Sequence, residues 1–139
     1  MTKKTAFSVA LCLFSIGFAT SCTKDTPKTK EDLLTSSTWK LVKIEQFDPG
    51  GYREATEECD KDDQIRFNSD HTVNVMYGTK NCGGDVDFTV NWSLGAGETT
   101  IVFVPDLVGG TTSILTLDEN TLVTEYVDGS DKVKETYSH

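Results

Sequence analysis

Two clusters of polar side chains in this chain have the types that catalysis or metal binding needs. Ser69, Asp70 and His71 are the residue types of a hydrolytic triad, in which a carboxylate orients an imidazole that takes the hydroxyl proton. Triad members converge through the fold from separated positions, and three sequence neighbours cannot reach that geometry. Asn68 to Asp70 are turn formers, so this segment is expected to be a hairpin turn. Glu57, Glu58, Asp60, Asp62 and Asp63 crowd enough carboxylates to raise the idea of a calcium loop. An EF-hand loop starting at Asp60 needs glycine at its sixth position and a bidentate acid at its twelfth. Ile65 and His71 stand there, so the run is expected to be a solvated acidic loop. Cys59 and Cys82 lie far outside Cys-x-x-Cys spacing, and the two histidines form no zinc motif. His139, the last residue, is expected to fray. With no acid–base pair and no phosphate loop, the expectation is a protein that is no enzyme and uses no cofactor or metal.

What remains is the chemistry of binding, carried by aromatic side chains at alternating positions. Phe67, Phe88 and Trp92 are expected to fill a core, while Trp39, Tyr77 and Tyr126 have polar atoms that want a partner near a rim or cavity. Trp39, Tyr77, Trp92, Phe103 and Tyr126 form the candidate ligand set. Strands must position them. Val86, Phe88, Val90, Trp92 and Leu94 alternate with Asp87, Thr89, Asn91 and Ser93, a period of two that no helix produces. Similar patterns predict strands over 39–47, 64–67, 72–77, 99–104, 111–117, 121–127 and 132–138, separated by clusters such as Asp48-Pro49-Gly50-Gly51 and Asp128-Gly129. One helical turn is expected at Glu31 to Leu34. About eight strands with short connections and no crossover helix point to an antiparallel up-and-down barrel, which removes exposed edges. A two-sheet β-sandwich is the competing architecture.

The first residues read as an address. Lys3 and Lys4 precede an uncharged run, Ala6 to Ala19, too short to span a bilayer and right for a secretory signal. Ala19-Thr20-Ser21-Cys22 resembles a bacterial lipobox, which implies cleavage before Cys22 and lipidation of its sulfur. Two or three acyl chains make a stable membrane anchor where one does not. Residues 22–30 are polar, carry Pro27 and read as a tether, leaving 31–139 as one domain. Thr23 after the cysteine is not the Asp of inner-membrane retention, so an outer-membrane lipoprotein facing the periplasm or the surface is expected. Losing residues 1–21 removes two lysines and no acid, which takes the net charge from −9 to −11. A chain this acidic has no basic patch for nucleic acid. With Cys12 in the signal and Cys22 lipidated, Cys59 and Cys82 remain as a pair for a disulfide in an oxidising envelope.

Leu33-Leu34-Thr35 with Trp39-Lys40-Leu41, then Cys59 and its acidic run, Ile65-Arg66-Phe67-Asn68, Cys82, Trp92 and Tyr137 follow one another in a familiar order. That order resembles small lipocalin-like lipoproteins of the Bacteroidetes group across nearly all of the chain after Lys30. Where that family usually has Asp-Gly in the turn after Phe67, this chain has Asp70-His71. The resemblance implies a lipocalin-like barrel that binds a small apolar ligand, here expected as a monomer. The rival expectation is a filled barrel whose acidic surface binds a protein or glycan, or inhibits an enzyme. An apolar cavity of a few hundred Å³ separates the two.

Overall fold

The computed structural model describes residues 26–80, 82–105, 107 and 111–139. The signal segment, Cys22 and most of the loop 106–110 therefore lie outside the described residues. The chain begins with α1 (Lys30–Thr35), then β1 (Trp39–Asp48), β2 (Gly51–Glu54) and β3 (Gln64–Phe67). It continues through β4 (Thr72–Met76), β5 (Phe88–Leu94), β6 (Thr100–Val104), β7 (Thr112–Leu117), β8 (Thr121–Asp128) and β9 (Asp131–Ser138). Helix α1 exists because its first turn is capped. The Thr29 Oγ1 accepts from the Asp32 N–H at 3.0 Å, and the Asp32 carboxylate accepts from the Thr29 N–H at 2.9 Å. Reciprocal bonds of this kind satisfy two backbone donors that a helix start leaves open. Thr29 and Lys30, the end of the expected tether, are thus the cap and first residue of this helix.

Eight strands close into an antiparallel barrel in the order β1-β3-β4-β5-β6-β7-β8-β9 and back to β1. Closure is the β1–β9 ladder, which runs from Lys40 opposite Ser138 to Gln46 opposite Val133. No sandwich forms. The ninth strand, β2, was not expected; it pairs only with the far end of β1, from Glu45–Glu54 to Asp48–Gly51. The strand predicted from Val86 starts at Phe88, and Val86 stands 75% exposed in the preceding loop.

The up-and-down path sorts the connections to two ends. The turns 68–71, 95–99 and 118–120 gather at one end with α1, where Lys30 Nζ donates to the Glu98 carbonyl at 2.6 Å and Lys28 pairs with Glu119 at 2.8 Å. This end is filled. Leu34, Trp39, Phe67, Val73, Trp92, Ile101 and Leu122 are all at most 2% exposed. Trp39 Nε1 donates to the Leu34 carbonyl at 3.0 Å, tying β1 to the helix. Phe67 and Trp92 meet edge to face with centroids 5.1 Å apart. His139 is not frayed, because its ring packs over Trp39 with centroids 3.8 Å apart. At the opposite end β4 and β6 finish, at Met76 and Val104, and β3, β5 and β7 begin.

Candidate ligand cavity

Beyond the filled end, the interior opens into a cavity of about 290 Å³. That is roughly twice the ~150 Å³ of an engineered apolar cavity that takes up benzene. Period-two alternation explains which side chains face it: Ile65 and Phe67 from β3, Val75 from β4, Phe88 from β5, Ile101 and Phe103 from β6. On β8, Leu122, Thr124 and Tyr126 face inward while Glu125 faces out. On β9, Glu135 and Tyr137 face inward while Lys134 faces out. The outward charges pair with one another. Lys132 reaches Glu125 at 2.6 Å and Lys134 reaches Glu45 at 2.7 Å. Tyr52 of β2 donates to Glu125, and Lys134 Nζ lies 4.1 Å from its ring centroid.

The mouth is clasped. Cys59 and Cys82 form a disulfide with Cα atoms 5.1 Å apart, joining the loop before β3 to the loop before β5. The acidic run adds to that clasp by crossing to the same loop. Asp62 accepts from the Thr79 N–H at 2.7 Å and Asp63 from the Gly78 N–H at 2.9 Å. A Cβ at position 78 would fall 1.9 Å from the Asp62 Cγ, so a larger residue there would push the Asp62 carboxylate aside. Among the described residues, Glu57 with Cys59 and Cys82 is a cluster of metal-ligating types, and both sulfurs are taken by the disulfide.

Inside the wall, Glu135 accepts from the Tyr126 hydroxyl at 2.8 Å and from the Tyr137 hydroxyl at 2.6 Å. Burial pushes the Glu135 carboxyl above its ordinary value; the two hydroxyls oppose that and repulsion from Asp60 and Asp63 adds to it. Burial also pushes the Tyr126 and Tyr137 hydroxyls up, with Glu135 reinforcing the shift, so both stay protonated donors. Asp63 is raised by burial against the bond from Gly78, with repulsion from Asp60, Asp62 and Asp85 adding.

Of the five candidate ligand residues, Tyr77, Phe103 and Tyr126 line the cavity. Trp39 and Trp92 do not. Both are buried at the filled end, and their indole N–H groups are satisfied by the backbone carbonyls of Leu34 and Asn68. Phe67 and Phe88, expected only as core, touch the cavity as well. Ser69-Asp70-His71 forms the expected turn, where Asp70 accepts from Thr72 N–H at 2.9 Å and Thr72 Oγ1 at 2.6 Å. His71 has φ +63°, a conformation that suits the glycine usual in the resembling family. Sequence reading passed over Glu135 and Thr112. The available signal was Val133-Glu135-Tyr137, an acid set on the inward face of an alternating strand.

The model of the lipocalin-like domain family matches residues 36–124, well over half of the chain. The chain belongs to the lipocalin-like domain family. Among solved structures, this lipocalin-like domain is similar to bovine odorant binding protein in complex with a selenium-containing odorant. The identity is 18% and the TM-score 0.48, over 83% of this chain and 74% of that one. It is also similar to the bovine lipocalin allergen Bos d 2, at 19% identity and a TM-score of 0.44 over 73% of this chain and 70% of that one. No curated protein matches the lipocalin-like chain in sequence.

Proposed function

We propose that this protein is a lipid-anchored lipoprotein of the cell envelope whose lipocalin-like barrel binds one small, mainly apolar molecule, without catalysis. The observation that carries the reading is the cavity of about 290 Å³ under the clasped mouth, lined mostly by aromatic and aliphatic side chains. Such a space, with few polar groups, is the usual form of a small-molecule site. It speaks against the filled barrel of the rival reading. Tyr77, Phe103 and Tyr126 are assigned to ligand contact, and Trp39 and Trp92 to the closed end. Cys22 is assigned to the anchor on the strength of Ala19-Thr20-Ser21-Cys22 and the short apolar run before it.

Naphthalene is a suitable first probe, being uncharged, fluorescent and small enough for the cavity. Titration is expected to show saturable binding of one molecule per chain. Val75→Trp places an indole in the cavity and is expected to abolish binding while the far-ultraviolet spectrum stays that of the barrel. Unchanged binding by that variant would exclude the cavity as the site. Mass spectrometry of protein extracted from membranes is expected to show acyl mass on an N-terminal Cys22; an unmodified cysteine there removes the anchor.

A further inference from the structure

The cavity wall contains acids without bases. Glu135 from β9, with Asp60 and Asp63 from the loop before β3, line it, and among the described residues the lining includes no lysine, arginine or histidine. Lys132 and Lys134, the nearest lysines in sequence, point outward and are held by Glu125 and Glu45. Tyr126 and Tyr137 give Glu135 hydrogen bonds but no countercharge. An acid in an apolar wall without an opposite charge is costly to ionise, and such a group in a cavity is a candidate for ligand contact. A second polar residue belongs to the same lining. Thr112 is only 4% exposed, lines the cavity, and its Oγ1 has no hydrogen-bond partner among the described residues. The lining also includes the aromatic rings of Tyr77, Phe88 and Phe103, a residue type whose ring faces attract cations.

We propose that the ligand is a small amphiphile with a protonated amine head, which Glu135 binds as an ion pair while the apolar wall covers the body. This inference rests on the cavity being the ligand site. The ammonium supplies the positive charge that the lining lacks, and its three donors suit an acceptor cluster of carboxylate and hydroxyl oxygens. Burial and the repulsion from Asp60 and Asp63 both oppose charge on Glu135, and a cation in the cavity acts against both effects. A carboxylate or phosphate head would meet three acidic groups and no base at the same wall and is disfavoured.

The test is a calorimetric titration of the purified protein at neutral pH with matched pairs. Hexylamine, octylamine and 2-phenylethylamine are each set beside the alcohol of the same skeleton, and naphthalene serves as the probe without a head group. At least one amine is expected to bind about tenfold or more tightly than its alcohol, a preference of the size one charge-assisted bond provides. Glu135→Gln is expected to reduce that preference to within about threefold while leaving the alcohol's affinity within a similar factor. No preference in any pair overturns the amine head, whereas saturable naphthalene binding in that same protein keeps the cavity reading. If no ligand and no naphthalene binds, both readings fall. A preference that survives Glu135→Gln in a folded variant overturns the role given to Glu135. Should that variant not fold, the amine-to-alcohol ratio of the unaltered protein still decides.

Discussion

Glu135 holds its proton more firmly in the folded barrel than in the unfolded chain, because burial penalises its charged form. Its effect on stability has a definite sign. Below the ordinary value of 4.5 both states are protonated and the group contributes no slope. As pH rises from there toward the raised folded-state value, the unfolded chain ionises first and the barrel loses stability through this group. Glu135→Gln removes that loss, so its unfolding midpoint in urea is expected to gain on the parent as pH rises above that ordinary value. Parallel pH profiles for the two proteins would refute it. Carboxylates with lowered values, such as Glu45 between Lys134 and Lys43, change neither side of that comparison. At this scale the sequence was only partly legible. An acid at position 135 reads as solvated until its neighbours Val133 and Tyr137 are recognised as facing inward. Trp39 and Trp92 misled for the opposite reason: each indole N–H found a backbone carbonyl inside the core, a partner that residue types do not reveal.

Among the elements, α1 is too short to persist alone and depends on its cap and on Leu34, which is fully buried beneath it. Thr29→Ala removes the hydroxyl acceptor and is expected to cost about 1 kcal/mol in denaturant unfolding. Trp39→Phe deletes the N–H bond to Leu34 and leaves that buried carbonyl short of a partner, for a loss of about 1–3 kcal/mol. If either variant unfolds at the parent's midpoint, the helix does not brace the closed end. All eight barrel strands were readable because inward and outward residues alternate along each one. Strand β2 was not, since Gly51–Glu54 follows a turn directly and lies half exposed on the outer surface beside β1, with no apolar face. The boundary at Val86 failed for a related reason: alternation continued in sequence past the point where ladder pairing with β4 ends, at Phe88 opposite Val75.

The molecule as a whole is one closed sheet with a plugged end and a clasped end. The clasp is covalent, and opening it is expected to lower the stability of a domain this size by roughly 3 kcal/mol in the chain-entropy model, visible as a drop in melting temperature on reduction. An unchanged melting temperature after complete reduction would show that the Asp62 and Asp63 bonds to the neighbouring loop suffice. Barrel closure was the economical expectation from strand count. The size of the cavity was not legible, because a few missing side-chain volumes among inward residues leave no trace in hydrophobic pattern, even though Tyr77, Phe103 and Tyr126 were picked out.

Lys28 is paired beside Glu119, so the chain enters the barrel at its plugged end, opposite the mouth. A lipid at Cys22 would therefore dock the barrel floor-down on the bilayer, with its opening turned to the aqueous space. Cargo would then arrive and leave by diffusion through water, one molecule at a time. Lateral transfer straight out of the lipid leaflet would be the wrong route for this geometry.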